Sequence, residues 1–269
     1  MNILDKIIES KKKSLKEKKD RYGIKKLEAL PFFERSCESL VKRLSTDSTT
    51  GIIAEFKKRS PSKGIINDLA DVSDVVSSYE KYGAAGISVL TDEEYFGGSN
   101  EDFRKAREAV AIPLLRKDFI IDEYQVMEAK AMGADVILLI AACLSPAEVK
   151  QLAKFASSLG MEVLLELHDE KELEHISDEV GLVGVNNRDL KTFEVDMERS
   201  LKMAERIPGE KIKIAESGIS SVEDILLFRQ NGFKGFLIGE LFMKETDPTI
   251  AFAEFVNALQ LIPPHAEGF

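Results

Sequence analysis

The sequence predicts one (β/α)8 barrel over residues 1–269, with a helical extension over residues 1–50 packed on it. Past that extension, short apolar runs rich in β-branched residues alternate with charged segments of helical period. Successive runs start about 20 to 35 residues apart, which suits a strand, a crossover helix and a return. The phrases YGAAGISVL, MGADVILLI and NGFKGFLIG repeat one layout, a glycine followed by a buried strand. Because eight such units follow one another without a long linker, a closed barrel is favoured over an open, doubly wound sheet.

The apolar runs predict eight strands, and because they carry few polar residues, we expect a parallel sheet covered by helices. The strands are Ile52–Phe56, Ile87–Leu90, Pro113–Lys117, Val136–Ile140, Val163–Leu167, Leu182–Asn186, Ile212–Glu216 and Phe236–Gly239. Helices are predicted over Asp71–Tyr82, from Ser145-Pro146 to Ser158, and from a cap at Ser220 to Gln230. Several helices are expected to end in a left-handed glycine, at Gly83, Gly133, Gly160 and Gly232.

The N-terminal extension is predicted to form helices that partly cover one rim of the barrel. Its apolar residues Ile3, Leu4 and Ile7 recur at helical spacing. The charged run from Lys11 to Lys19 continues this amphipathic pattern. We therefore expect that run to be a solvated helix face with no partner.

Composition and charge argue against several classes of function. The chain carries 37 Lys and Arg against 47 Asp and Glu, a net charge of -10, and its pI of about 5.1 opposes binding to nucleic acid or anionic lipid. The longest apolar run, Val136 to Cys143, is far shorter than the roughly 20 residues of a membrane span, and no secretion signal is visible. Cys37 and Cys143 fit neither a disulfide framework nor a metal-ligand spacing, and we expect both to be buried. A cytoplasmic protein is predicted.

Charged residues collect where the predicted strands end, which is the active face of a (β/α)8 barrel. Glu55, Lys57, Lys117, Glu166 and Glu216 all lie in or directly after apolar strands. A charge there costs several kcal/mol unless it is paired or used. For Glu216 an ion pair that closes the barrel mouth remains the alternative. For the others we expect crowding to lower the lysine pKa values and burial to raise the Glu166 pKa, which would suit proton transfer near neutral pH.

Two glycine turns predict a phosphate site. The loop after the seventh strand contains Ser217 and Gly218, and the turn after the eighth contains Gly239 and Glu240. Each turn offers backbone N–H groups beside a helix start, the usual phosphate cradle of this fold. The predicted substrate is therefore a small phosphorylated molecule.

The motifs AEFKKRSPSKG, LTDEEYFGGS, LLRKDFIID, LLELH, GVNNRDL, IAESGI and FLIGE occur in this order along nearly the whole chain. In this set the chain resembles the indole-3-glycerol-phosphate synthase family of tryptophan biosynthesis. The resemblance implies a carboxy-lyase that converts 1-(2-carboxyphenylamino)-1-deoxyribulose 5-phosphate to indole-3-glycerol phosphate, losing carbon dioxide and water. It also implies that neither a metal nor an organic cofactor is needed. Association with other enzymes of that pathway is left open.

The resemblance also implies roles for the charged residues. Lys117 corresponds to the general acid that protonates the ketone oxygen, and Glu166 to the acid or base that helps expel the hydroxyl. Lys57 corresponds to a lysine near the phosphate that shares later proton transfers, and Glu55 would orient the lysines. We group Glu216 with the catalytic residues. Which of Lys57, Lys117 and Glu166 performs each transfer stays open.

The remaining site residues are also carried over from the family motifs. Asn186 and Arg188 correspond to the pair that holds the substrate carboxylate or its neighbouring polar groups, with Arg188 on the carboxylate. Both are grouped with the catalytic set, as is Ser217. The wall of the aromatic pocket corresponds to Ser60, Pro61, Phe96 and Phe119, although ordinary loop packing is the alternative for the two phenylalanines. The cradle corresponds to Gly218, Gly239 and Glu240. One departure is visible, because Leu241 stands where the family commonly has a small residue and Phe242 where it has leucine.

Two other readings compete. A second phosphate-binding barrel, such as phosphoribosylanthranilate isomerase or the tryptophan synthase α subunit, would share the glycine cradle but not the Lys57, Lys117 and Glu166 set. A phosphometabolite sensor would have lost these three residues, and the chain retains them. His168 and His175 form no ligand pattern and are predicted to be structural or surface residues.

Overall fold

Eight parallel strands close into a barrel in the computed structural model, which describes residues 3–46, 49–189 and 192–262. The strands are β1 (Ile52–Phe56), β2 (Gly86–Leu90), β3 (Leu114–Lys117), β4 (Val136–Ile140), β5 (Glu162–Leu167), β6 (Leu182–Asn186), β7 (Ile212–Glu216) and β8 (Phe233–Ile238). Each strand pairs with the next, and Ile52 of β1 pairs with Phe236 of β8 to close the circle. The predicted barrel is confirmed.

The strand bounds differ from the predicted ones at four strands, and β2 and β5 each begin only one residue earlier than predicted, at Gly86 and Glu162. β3 begins one residue late, because Pro113 has no N–H to give to the ladder, although its carbonyl accepts from Ile87. β8 begins earlier, at Phe233, and its register shifts before Gly235. The exposed Lys234 interrupts the apolar run in that irregular stretch, so the apolar pattern predicts a strand only from Phe236.

Twelve α-helices occur in the described residues. They are α1 (Ile3–Arg21), α2 (Ile24–Glu28), α3 (Leu40–Leu44), α4 (Val72–Lys81), α5 (Glu93–Phe96), α6 (Asn100–Ala109), α7 (Glu123–Ala131), α8 (Pro146–Ser158), α9 (Met197–Ala204), α10 (Val222–Gln230), α11 (Glu240–Met243) and α12 (Pro248–Gln260). The four expected glycines all have positive φ, between 77° and 89°. The cap of α10 is Ser221 rather than Ser220, because the Ser221 side chain accepts from Asp224 N. No helix among these described residues is both long and apolar enough to cross a membrane.

The connection from β5 to β6 departs from the repeat. It forms a 3-10 helix over Glu170–His175 where the pattern predicts an α-helix. This is the shortest connection between barrel strands, so it leaves little chain for a full crossover helix. Two capping contacts, from Asp169 and Glu172, hold the short turn instead.

The N-terminal extension splits between the two ends of the barrel. Leu40 and Leu44 of α3 pack into the apolar barrel interior beside Ile53 and Ile212, near the strand starts. Helix α1 lies at the opposite end, where its Ile3 side chain reaches the mouth of the barrel. Helix α1 therefore partly covers the rim at the mouth, as predicted, whereas α3 lies at the other end of the barrel. Whether residues 1–269 form a single domain stays a prediction, and residues 1–2, 47–48, 190–191 and 263–269 lie outside the described part.

The charged run on α1 is mostly exposed, as expected, but three of its lysines pair with acidic residues of the barrel. Lys11 Nζ lies 2.9 Å from Asp92 and 2.6 Å from Asp118, and its side chain is only 16% exposed. Lys18 and Lys19 also pair, with Glu128 and Asp122 respectively. Because the apolar side of α1 docks on the barrel, part of its charged side is brought over acidic residues of the barrel loops.

The two cysteines also differ from expectation. Cys37 and Cys143 are unpaired thiols, and each is half-buried rather than buried. Cys143 lies at the end of a short 3-10 turn after β4, facing the groove beside α1.

Candidate active site

A cavity of about 200 Å³ opens at the carboxyl ends of the strands. Every site residue predicted from the sequence lines it: Glu55, Lys57, Ser60, Pro61, Phe96, Lys117, Phe119, Glu166, Asn186, Arg188, Glu216, Ser217, Gly218, Gly239 and Glu240. These residues come from seven of the eight strand ends or the loops that follow them. The fold thus brings the predicted set together, as expected for the catalytic face of this barrel.

Lys117 occupies the centre of the charged set. Its Nζ lies 3.1 Å from Glu166 Oε2 and 3.1 Å from Glu216 Oε2. Because side chains alternate along a strand, Lys117 points into the barrel while Arg116 points outward to α7. Burial lowers the pKa of Lys117, but the Glu166, Glu216 and Glu55 carboxylates outweigh it, and the net pKa is raised. Lys117 is therefore an ammonium at neutral pH.

Glu166 accepts hydrogen bonds on both carboxylate oxygens. Oε2 accepts from Lys117, and Oε1 accepts from Asn186 Nδ2 at 2.9 Å. The His168 Nε2 atom lies 2.9 Å from the same Oε1. Burial raises the pKa of Glu166, but Lys117 and His168 lower it more, so the net pKa is depressed and the group is a carboxylate at neutral pH.

The expected directions of the Lys117 and Glu166 pKa shifts were therefore wrong. The expectation assumed that Lys57 and Lys117 crowd each other. Instead Lys57 Nζ pairs with Glu55 Oε1 at 2.7 Å, and Lys117 contacts two carboxylates. The opposite charges in direct contact with each group outweigh burial and reverse the shifts that burial alone would cause.

Glu216 differs from Glu166 in having fewer partners. Its side chain is only 1% exposed, and among the described atoms Oε1 has no hydrogen-bond partner. Burial raises the Glu216 pKa, Lys117 lowers it and Glu166 raises it again, leaving it at about 7. Gly184 of β6 makes room for this carboxylate, because a Cβ there would collide with Glu216 Oε1.

Glu55 is also held by a close approach. Ser88 Oγ lies 3.5 Å from Glu55 Oε2, while Lys57 lies on Oε1. A Cβ at Gly239 would come within 2.8 Å of the Glu55 side chain, so a glycine there lets the β8 turn pass beside it. Glu55 therefore fixes Lys57 at the edge of the predicted phosphate cradle.

The β6 loop supplies the candidate carboxylate site. Arg188 Nη2 lies 3.7 Å from Glu240 Oε2, and Lys63 Nζ lies 3.7 Å from Glu240 Oε1. Asn186 Oδ1 accepts from Arg188 N at 3.0 Å, which fixes the start of the loop. The guanidinium is thus held at the cavity edge by the partly exposed Glu240 carboxylate and by Phe193 O, which accepts from Arg188 Nη1 at 3.4 Å.

The predicted cradle is built from an unusual backbone. Ser217 has φ of 65° and Gly218 φ of 74°, so two consecutive residues are left-handed. Asn187 Nδ2 donates to Ser217 O at 2.7 Å and holds the turn from behind. Successive left-handed or turn residues of this kind can direct backbone N–H groups toward an anion.

Apolar side chains complete the cavity. The rings of Phe96 and Phe119 have centroids 6.0 Å apart. Sequence reasoning left out the apolar wall given by Ile3, Leu4, Ile7, Leu138, Ile140 and Phe193. The helical spacing of the first three was the available signal, but it identifies only an apolar face and not what that face covers.

Comparison with known proteins identifies the family. The family model described as indole-3-glycerol phosphate synthase matches residues 4–255. The chain belongs to the indole-3-glycerol phosphate synthase family. It is 45% identical over 259 residues to the indole-3-glycerol phosphate synthase of Bacteroides thetaiotaomicron, covering 96% of this chain and 99% of that one. It is 42% identical to that of Polaromonas naphthalenivorans, covering 94% and 98% respectively. The predicted family, a carboxy-lyase of tryptophan biosynthesis, is confirmed.

Solved structures of other proteins share the fold of this family member. A chain of the tryptophan synthase α2β2 complex from Pyrococcus furiosus superposes with a TM-score of 0.60 at 16% identity, covering 78% of this chain and 98% of that one. The tryptophan synthase α subunit from the same organism gives 0.59 at 16% identity, covering 78% and 97%. At this identity the likeness concerns the fold alone, and the family match decides against the rival barrels.

The departure from the family motif at Leu241 and Phe242 has a packing context. Phe242 is buried and meets the Phe252 ring edge-on at a centroid distance of 5.1 Å. Its ring also lies 6.1 Å from that of Tyr79. Leu241 is half-buried and lines the cavity. The substitutions thus fill space between α11, α4 and α12 without adding a polar group to the cradle.

The histidines divide into two cases. The His175 ring lies 3.0 Å from Glu172 O and 2.9 Å from Leu144 O, so it serves the packing of the short 3-10 turn. His168, which was expected to be a structural or surface residue, is half-buried, and its Nε2 lies 2.9 Å from Glu166 Oε1. Its position two residues after Glu166 was the only signal in the sequence. Over the parts of the chain that the structure describes, no cluster of His, Cys, Asp and Glu suits a metal ion.

Proposed function

We propose that this cavity converts 1-(2-carboxyphenylamino)-1-deoxyribulose 5-phosphate to indole-3-glycerol phosphate, carbon dioxide and water, with Lys117 as the first proton donor. The observation that supports this role is the position of Lys117 Nζ, 3.1 Å from each of two inward-facing carboxylates. Its raised pKa keeps the proton on the ammonium because Glu166, Glu216 and Glu55 outweigh the effect of burial. An ammonium held there can stabilise negative charge as it develops on the ketone oxygen.

The first step forms the new carbon–carbon bond. The ring carbon that carries the carboxylate attacks the ketone carbon, and Lys117 gives its proton to the ketone oxygen. Carbon dioxide then leaves, and the electron pair of the broken bond restores the aromatic ring. Lys117 ends this stage neutral, and the substrate carries a hydroxyl where the ketone was.

The second stage expels that hydroxyl as water. A proton is delivered to the leaving oxygen, the nitrogen lone pair assists, and a proton is removed from the neighbouring CH2 to complete the indole. Glu166 suits the base in this stage, because its pKa is depressed by Lys117 and His168 against the effect of burial. Lys57, paired with Glu55 at 2.7 Å, suits the donor to the hydroxyl.

The cavity walls suggest how the substrate lies. The aromatic ring of the substrate fits between two walls of the cavity. One wall is formed by Phe96 and Phe119, and the other by the apolar residues of α1. The substrate carboxylate would replace Glu240 on Arg188, which their separation of 3.7 Å leaves loosely paired. The phosphate would take backbone N–H groups of the Ser217–Gly218 turn, since the Glu240 carboxylate repels an anion and can contribute only its backbone.

We place the enzyme in the cytoplasm, as the sequence predicts. The two free thiols suit a reducing compartment. The net charge of -10 opposes binding to nucleic acid or to an anionic membrane surface.

A continuous fluorescence assay tests the proposal. The purified protein is mixed with the carboxyphenylamino-deoxyribulose phosphate without added metal, and indole emission is followed. The chain contains 0 tryptophans, so the protein background is low. Indole emission that disappears in Lys117→Ala is expected. If the protein bound the substrate but no indole emission appeared, the proposal would be overturned. That result would favour a sensor or an enzyme with a different phosphorylated substrate.

A further inference from the structure

We propose that His168 is a positioning residue for the reaction, a cationic partner that keeps Glu166 ionised and in place after Lys117 has given up its proton. The inference rests on the proposed role of Glu166 as the later base. It concerns a side chain that does not line the cavity and would not touch the substrate.

The geometry of the contact supports this role. His168 Nε2 lies 2.9 Å from Glu166 Oε1, and the His168 side chain is only 9% exposed. The other carboxylate oxygen of Glu166, Oε2, lies 3.1 Å from Lys117 Nζ. Glu166 therefore has one cationic partner on each oxygen. When Lys117 becomes neutral, His168 is the partner that still carries charge on the far side of the carboxylate.

The irregular β5–β6 connection holds His168 in this position. Glu172, in the short 3-10 helix, accepts from His168 N at 2.6 Å. The same Glu172 oxygen lies 4.0 Å from His168 Nδ1. The imidazole is thus placed between two carboxylates, with its backbone fixed by one of them. The two carboxylates flank opposite ring nitrogens, and neither nitrogen has a hydrogen-bond partner of ordinary geometry among the described atoms, so they favour the doubly protonated ring through their charge.

The surrounding charges agree with a protonated ring. Burial lowers the pKa of His168, but Glu166, then Glu172 and Glu216, raise it more, so the net pKa is raised. The groups that face the pair from the other elements are Lys117 on β3, Asn186 on β6, Glu216 on β7, Glu55 on β1 and Cys143 after β4. Burial and nearby carboxylates raise the pKa of the Cys143 thiol to about 12, so it stays neutral and does not compete.

A pH profile of kcat, which reports the enzyme with substrate bound, separates positioning from simple packing. In His168→Ala, Glu166 loses a cationic partner and its pKa rises. The acidic limb of the pH profile, where Glu166 becomes protonated, should therefore move to higher pH by about one unit, and KM should change little. Below that limb kcat then falls about tenfold relative to the unmodified enzyme. His168→Gln keeps a donor near the Nε2 position without the charge, and should recover kcat at high pH while the limb stays displaced. His175→Gln removes the other buried histidine and should leave the limb unchanged.

A second measurement does not depend on activity. With only 3 histidines in the chain, the His168 imidazole can be assigned by NMR from its loss in His168→Gln. Its titration in Glu166→Gln should occur at a pH about one to three units lower than in the unmodified enzyme. Equal titration in both proteins would overturn the proposal. So would His168 variants that lose kcat equally at every pH, since that is the signature of a packing defect. If the unmodified enzyme made no indole, the proposed reaction would fail, but the NMR titration would still decide the pairing.

Discussion

Two buried clusters of charge meet on strand β3, and they are organised differently. Arg116 points outward, where it lies 2.5 Å from Glu128 and 3.3 Å from Asp118. Lys11 reaches the same Asp118 from α1 at 2.6 Å. Lys117, one residue later, points inward to Glu166 and Glu216 at 3.1 Å each. We refer to these as the outer cluster and the inner cluster.

The difference appears in one carboxyl group of each cluster. Burial alone would raise the pKa of Asp118 in the outer cluster. Lys11 and Arg116 outweigh burial and lower that pKa to about 2. Glu216 in the inner cluster is equally buried, yet burial and the neighbouring Glu166 outweigh Lys117 and leave its pKa at about 7. A cluster with matched charges is fixed in one protonation state and can only hold structure. A cluster that leaves one carboxyl short of partners can exchange a proton near neutral pH.

The largest effect is expected for Lys117→Ala. Removing the central ammonium deletes both a proton donor and a positive charge, so turnover should fall about 10³-fold or more with the substrate still bound. The fluorescence assay measures the turnover, and substrate titration measures the binding. Lys11→Ala, a lysine of the outer cluster, is the matched control and should retain most of its turnover. Unchanged turnover in Lys117→Ala would remove Lys117 from the mechanism.

Glu166→Gln should separate the two stages of the reaction. The amide cannot accept a proton, so the dehydration stage should slow about 10²-fold to 10⁴-fold. Bond formation and decarboxylation need only Lys117 and should proceed. Single-turnover experiments that follow carbon dioxide and indole emission together would show the first product appearing well before the second. Equal delay of both products would place Glu166 in the first stage instead.

Lys11→Ala should act on stability more than on chemistry. It leaves Asp92 and Asp118 without their shared cation, which costs about 1–3 kcal/mol of unfolding free energy. Because α1 also carries part of the cavity wall, KM should rise while kcat stays within a few-fold. Urea unfolding measures the first quantity and steady-state kinetics the second. Lys13→Ala, exposed on the same helix, is the control and should change neither.

Much of this arrangement could be predicted from sequence. Lys117 and Glu166 stand out because a charge inside an apolar strand must be paired or used, and strand alternation places Arg116 and Lys117 on opposite faces of the sheet. The ends of parallel strands meet on one face, so residues distant in sequence, such as Glu55 and Glu216, are brought together.

The missing parts depend on distances that a pattern does not contain. The polar face of α1 was visible, but nothing in it indicates which barrel residues lie beneath Lys11. The contact of His168 with Glu166 depends on a 3-10 turn where the repeat predicts an α-helix. The raised pKa of Lys117 depends on its contacts with two carboxylates, which only the folded geometry establishes.

The contrast between the clusters is tested most directly by titrating the buried carboxyl groups. NMR of glutamate labelled at the carboxyl carbon would be followed from acidic to mildly alkaline pH in the unmodified protein and in Glu216→Gln. Because the Glu216 pKa is raised by burial, one carboxyl should titrate at a pH of about 7 in the unmodified protein, and that transition should be absent in Glu216→Gln. The Glu166 signal should stay ionised across this range. If every glutamate titrated below a pH of about 5, or if the near-neutral transition persisted in Glu216→Gln, the inner cluster would be as fixed as the outer one.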